Sequence, residues 1–233
     1  MQIRYSAFCD AGNCRQENQD AVLLREGERW GLFVIADGMG GHQNGGIASK
    51  VITDSYEQWA RTHEKTLGQI PVPILIQMTK EVLQEANIKI RNATNPGELC
   101  GSTAVVLLIA GDGYLLLSAG DSRGYEICRK GLKTVLKQLT MDETDPASGR
   151  LFNAVGVGKE QTCNIITGEI GVTKRFLLCS DGVYKYCSER ELTGVVRKGT
   201  DADLPLMSKR IKDLVYQNGA GDNLSAIIVS VRR

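Results

Sequence analysis

Five short apolar runs give this 233-residue chain its strongest folding signal. "GLFVIADG", "GSTAVVLLIAGDG", "GYLLLSAGDS", "KRFLLCSDG" and "NLSAIIVSV" are β-branched-rich stretches bounded by Gly, Asp or Ser. Runs of that length and composition favour strands, because a buried helix needs a longer periodic stretch. Asp112-Gly113 predicts a hairpin turn within "IAGDGYLL", and Gly131 predicts another within "CRKGLKTV". Hairpins imply antiparallel pairing. Helices are expected from Ile47 to about Arg61 and from Ile74 to about Ala93, the second with Leu75, Met78, Val82, Ala86 and Ile90 at helical spacing. Ser188 and Glu191 stand in capping-box register, and "LPLMSKRIKDLVYQNG" closes on Gly219, a helix terminator. Dominant strands with helices in two pairs predict sheet-on-sheet packing flanked by helices, in one domain over residues 1–233.

Composition narrows the function classes. Apolar residues make up 42% and charged residues 24%, which suits a globular chain. The net charge of +1, from 28 basic and 27 acidic residues, lacks the basic excess of a nucleic-acid binder. "AVVLLIA" is far too short to span a bilayer, and "MQIRYSAFCD" lacks the apolar region of a signal peptide, so no membrane partner is expected. Seven cysteines form no C-x-x-C pair and read as small buried hydrophobes of a reducing, cytoplasmic setting. The odd count argues against a disulfide framework.

The aspartates carry the chemical signal. Asp37, Asp121 and Asp181 each follow an apolar run, and Asp222 sits just before the last one. Singly, each is an ordinary turn residue. Four carboxylates at strand ends that converge would repel one another and raise their own pKa values unless cations neutralise them. Oxygen donors with only two histidines in the chain select hard cations, Mg²⁺ or Mn²⁺, over Zn²⁺. The first of the aspartates lies in "VIADGMGGHQNGG", whose glycines suit either a phosphate-cradling loop or a tight turn that presents a metal ligand beside a proton donor.

"NQDA", "VIADGMGGH", "GSTAVV", "SAGDSRGY", "LLCSDG" and "GDNLSAIIV" occur in the order found in the PPM family of metal-dependent protein phosphatases, and the chain resembles the compact bacterial members of that protein phosphatase 2C-like group. The resemblance runs from about Arg15 to Val229. It implies an α+β fold, a four-layer αββα sandwich of two packed antiparallel sheets flanked by helix pairs. It also implies a phosphomonoesterase using two Mn²⁺ or Mg²⁺ ions to activate water. Asp37 would bridge both ions and the Gly38 carbonyl would bind one of them. Asp181 and Asp222 would hold the other ion, and Asp20 would support the pair through bound water. Arg15 matches the arginine that grips phosphate, His42 the general acid, and Asn223 would help fix the Asp222 turn. The partners so implied are phosphoserine and phosphothreonine proteins and a cognate Ser/Thr kinase, with the chain acting as a monomer.

Three positions depart from the family pattern. Gln19 stands where relatives often carry Glu, removing a carboxylate. Lys185 stands where bacterial members place an acidic residue, so a third ion beside Asp121 is disfavoured. The segment "MDETDPASGRLFNAVG" is a shortened flap, so relatives' peptide selectivity does not transfer. Other residues read plainly: His63 as solvated, Gly101-Ser102-Thr103 as packing near the site, Asp112, Asp142 and Asp145 as loop residues, and Trp30 and Trp59 as core aromatics. The main competing function is a catalytically weak phosphatase-like binding or regulatory protein. A nuclease lacks support in the neutral charge, and a nucleotide binder lacks G-x-x-x-x-G-K-[ST].

Overall fold

The computed structural model describes residues 1–40, 44–95, 97–131, 133–197 and 200–233. One sheet has the order β1 (Gln2–Asp10), β11 (Leu224–Arg232), β10 (Thr173–Cys179), β7 (Arg123–Lys130), β8 (Lys133–Gln138). The other runs β2 (Asp20–Gly27), β3 (Trp30–Gly40), β5 (Ala104–Ala110), β6 (Gly113–Ala119), β9 (Asn164–Glu169), with β4 (Cys100–Ser102) also paired to β3. Every strand pairing is antiparallel.

Side-chain alternation builds the layers. From β3, Phe33 and Ile35 face the opposite sheet and meet Phe176, Leu178, Ile227 and Val229. Trp30, Leu32, Val34 and Ala36 point the other way, against α1 (Asn44–His63) and α2 (Val72–Ala93). On the far side, Leu177, Cys179, Ala226 and Ile228 pack on α4 (Glu189–Val196) and α5 (Leu204–Gln217), with the one-turn α3 (Asp181–Tyr184) beneath them. The four-layer αββα arrangement is therefore present. It also explains the uninterrupted apolar runs: central strands buried on both faces have no solvent side on which to place polar residues. Tyr5 on Phe33 and Tyr114 on Phe176, with ring centroids 5.2 and 4.9 Å apart, bridge the sheets edge to face.

The local signals mostly hold. Ser188 accepts from Glu191 N–H and the Glu191 carboxylate accepts from Ser188 N–H, a complete capping box. Three details differ from the sequence reading. The β5–β6 turn is Gly111-Asp112, one residue earlier, since Ala110 pairs with Gly113 and the turn takes its left-handed residue at Gly111 (φ +55°). β3 does not stop before Asp37 but carries it and continues to Gly40, because β4 supplies further pairing. His63 is half-buried rather than solvated: its Nδ1 lies 2.9 Å from the Trp59 carbonyl and its ring tilts onto the Trp59 ring. Among the described residues, no helix is long and apolar enough to cross a membrane.

Candidate active site

Sheet register brings the acidic residues together. Asp20, first in β2, lies directly opposite Asp37 in β3. Asp37 is bracketed by the "GST" segment: its N–H donates to Thr103 Oγ1 (3.1 Å), and its carbonyl accepts from Ser102 Oγ (2.9 Å) and Thr103 N–H (2.9 Å). Thr103 Oγ1 also shares a 2.7 Å hydrogen bond with Ser122 Oγ, beside Asp121. Sequence reasoning gave these residues only a packing role; the available signal was a Ser-Thr pair placed between the aspartate-bearing blocks. Gly38 has no room for a side chain, since a Cβ would sit 2.0 Å from the Gly45 carbonyl at the start of α1.

The second sheet supplies the other half. Asp181 opens α3, where Ser180 Oγ donates to Asp20 Oδ2 (2.8 Å) and accepts from Ser225 N–H (3.0 Å), tying the two sheets together. A Cβ on Gly182 would fall 1.9 Å from the Asn223 carbonyl, so only glycine lets α3 dock against the Asp222-Asn223 turn. Asn223 does more than fix that turn. Its Oδ1 accepts from Gln19 N–H, and its amide donates to the Ala11 and Glu17 carbonyls, shaping the loop that carries Arg15. Arg15 then forks Asp222, with Nε to Oδ1 at 2.8 Å and an Nη to Oδ2 at 3.0 Å.

A cavity of about 650 Å³ opens here, with Arg15, Asp37, Gly38, Asp121, Asp181, Lys185, Asp222 and Asn223 in its lining. Flap residues 149–154 form part of its wall. Of the sequence-predicted residues, two stand apart. Asp20 is not in the lining; it stands behind it, opposite Asp37 and hydrogen-bonded to Ser180. His42 lies outside the described residues. Lys185 Nζ donates to Asp181 Oδ2 at 2.5 Å, and Tyr184 donates to Asp121 Oδ2 at 3.3 Å with the Arg123 guanidinium stacked 3.6 Å from its ring centroid.

The electrostatics are those of crowded like charges. Burial, reinforced by Asp20 and Asp181, pushes the Asp37 pKa well up. Burial raises Asp20 to about 7, with Asp181 and Asp222 adding repulsion. Asp121 is raised by burial and then by Asp181. Among the described residues, Asp20 Oδ1 is buried without a hydrogen-bond partner. Among the described residues, no three His, Cys, Asp or Glu side chains form a ready cage; Asp181 and Asp222 direct oxygens to Lys185 and Arg15. An oxygen-only donor set, mutual repulsion and an orphaned carboxylate oxygen together fit hard divalent cations.

Cys9 and Arg15 stand in the Cys-x5-Arg spacing of thiol phosphatases, a match that sequence reasoning overlooked. The structure gives Cys9 a different place. It lies within β1, Asn18 donates to its sulfur at 3.1 Å, and burial raises its thiol pKa. Cys9 also does not line the cavity. A nucleophilic cysteine needs the opposite, an exposed thiol with a lowered pKa.

Comparison with known proteins points to one family. A family model described as Protein phosphatase 2C matches residues 14–212. Protein phosphatase PhpP of Streptococcus pneumoniae is 27% identical over 98% of this chain and 98% of its own length. Serine/threonine protein phosphatase PstP of Mycobacterium tuberculosis is 26% identical over 99% of this chain, which spans only 45% of PstP. Among solved structures, PppA, a key regulatory component of the T6SS in Pseudomonas aeruginosa, superposes with a TM-score of 0.81 at 29% identity, covering 98% of this chain and 97% of PppA. The PstP catalytic domain, in complex with two manganese ions, gives 0.79 at 26% identity, covering 99% of each chain.

Proposed function

The chain belongs to the protein phosphatase 2C family, and from that membership we propose that it is a metal-dependent serine/threonine phosphoprotein phosphatase. The observation that carries this reading is the meeting of Asp37 and Gly38 from one sheet with Asp181 and Asp222 from the other around one cavity that Arg15 also lines. Asp37, the Gly38 carbonyl, Asp181 and Asp222 are the proposed holders of two Mn²⁺ or Mg²⁺ ions. When bound, such ions lower the pKa of water and neutralise charge on a transferring phosphoryl group.

The chain's own residues divide the remaining work. Asp20, lodged behind the lining with a free oxygen, orients the centre from its second sheet contact. Arg15 offers a planar fork that suits two phosphate oxygens, whereas a lysine would supply only a point charge. Asn223 sets that fork in place by holding the loop on both sides of it. His42 protonates the departing serine or threonine alkoxide, a poor leaving group that gains from a positioned acid. Loss of that acid in His42→Ala is expected to slow phosphoserine peptide hydrolysis about 10²-fold or more while p-nitrophenyl phosphate, whose phenolate leaves unaided, suffers far less. Equal losses on the two substrates would remove His42 from this role.

Lys185 sets the ion count. Its ammonium, held on Asp181, disfavours a third cation beside Asp121. Calorimetric titration with Mn²⁺ should show two sites in the wild type and a further one in Lys185→Asp; identical stoichiometry would contradict this. The substrates are phosphoserine and phosphothreonine proteins, and a Ser/Thr kinase that phosphorylates them is the opposing partner.

A further inference from the structure

We infer that the apolar wall beside the carboxylate centre is a specificity site, which selects phosphoprotein segments carrying a large apolar side chain next to the phosphorylated residue. This rests on the phosphatase reading above. Met39, Leu99, Phe152 and Val157 line the same cavity as Asp37 and Asp181. Three of them are unusually open for large apolar side chains: Leu99 at 55%, Phe152 at 69% and Val157 at 52%. Apolar side chains exposed in a contiguous group, rather than scattered, mark surfaces that a partner covers.

Two members of the group meet at Gly101, which has no side chain. The Met39 methyl and a Val157 methyl each lie 3.0 Å from where its Cβ would stand. Met39 follows directly on the Asp37-Gly38 pair. The wall therefore begins at the residue next to Gly38 and shares the cavity with the carboxylates, where a side chain adjoining the phosphorylated residue can reach it. The cavity's 650 Å³ also lies within the ~300–1,000 Å³ that accommodates a whole ligand, well beyond one phosphoryl group.

The wall is held in place rather than draped. Glu143, at the base of the flap, accepts from Gly120 N–H (2.8 Å) and the Asn153 amide (2.7 Å) through Oε2, and from the Asn164 amide (3.0 Å) through Oε1. Its carbonyl accepts from Phe152 N–H (3.0 Å), and its own N–H donates to the Gly120 carbonyl (3.1 Å). One residue thus locks Phe152 and Asn153 to the turn that precedes Asp121. A wall with fixed geometry can discriminate between side chains, because little ordering entropy is lost when a ligand settles on it.

The test uses two phosphoserine peptides that differ only in the residue following phosphoserine, leucine in one and glycine in the other. kcat/KM is measured with saturating Mn²⁺ for the wild type, Phe152→Ala and Val157→Ser, with p-nitrophenyl phosphate hydrolysis by the wild type run alongside. The wild type should prefer the leucine peptide by about tenfold, and each variant should bring the ratio to about twofold or less, mainly through KM. Hydrolysis of p-nitrophenyl phosphate with no peptide preference overturns the wall and leaves the phosphatase reading standing. No hydrolysis of any substrate overturns both. A wild-type dimer in sedimentation that Phe152→Ala dissociates, with no peptide preference, assigns the wall to self-association and overturns the proposal.

Discussion

Asp37 sits where three influences meet: burial, the facing Asp20 and the nearby Asp181. Its charge is unfavourable for the protein alone and useful only once a cation shares the site. Asp37→Asn should therefore separate function from stability. Phosphatase turnover is expected to vanish, because a neutral amide is a weak ligand for a hard cation. Thermal stability in the presence of EDTA should rise, since asparagine removes a repelled charge and keeps similar volume. A gain of about 1 kcal/mol would lift the melting temperature by roughly 2–4 °C in a chain of this size. An unchanged or lower melting temperature in EDTA would show that the carboxylates do not repel as the geometry indicates. The identity of these residues was legible in the sequence, because aspartates recurred at the boundaries of apolar runs. Their supports were not: Ser102, Thr103, Ser180 and Ser225 are small, common residues whose meaning depends on what stands opposite them.

At the level of elements, the loop bearing Arg15 depends on how β1 is pinned to α5. Asp10 at the end of β1 accepts from Lys212 Nζ (2.6 Å) and Tyr216 Oη (2.5 Å) on α5, and from Gly12 N–H (3.1 Å). Those hydrogen bonds, Lys212 first, hold its pKa down at about 2, below the ordinary carboxylate value of 3.8. A depressed carboxylate stabilises the fold fully above its unfolded pKa, and that contribution fades as pH falls through about 4 towards 2. Because the pair is partly open to solvent, it is worth about 1 kcal/mol. Asp10→Asn should lower the unfolding free energy obtained from urea titration at pH 7 by that amount, and the gap from the wild type should close between pH 4 and pH 2. A gap independent of pH would mean that packing, not charge, holds this joint. Element prediction from sequence worked best where burial was complete. β3, β5, β6, β10 and β11 announce themselves as apolar runs, whereas β1 and β9, at sheet edges, mix Arg, Ser, Asn and Thr into their faces. β4, three residues long and paired with residues 38–40 of β3, is too short to leave a periodic signal.

At the scale of the whole molecule, the candidate site lies on the seam between two sheets. Asp20, Asp37 and Gly38 arrive on one, Asp181 and Asp222 at the ends of the other, and the Ser180–Asp20 hydrogen bond crosses between them. Residues 202 positions apart in sequence, Asp20 and Asp222, come close enough to raise the pKa of Asp20. No local pattern contains that information; only the order of strands within each sheet and the packing of one sheet on the other create it. The most direct test is phosphate release from a phosphoserine peptide by EDTA-stripped, dialysed protein as free Mn²⁺ is raised. The account predicts no turnover without metal, a saturable rise to full activity with added Mn²⁺, and no rise in Asp37→Asn. Turnover that persists in EDTA, or none at saturating Mn²⁺, would contradict it.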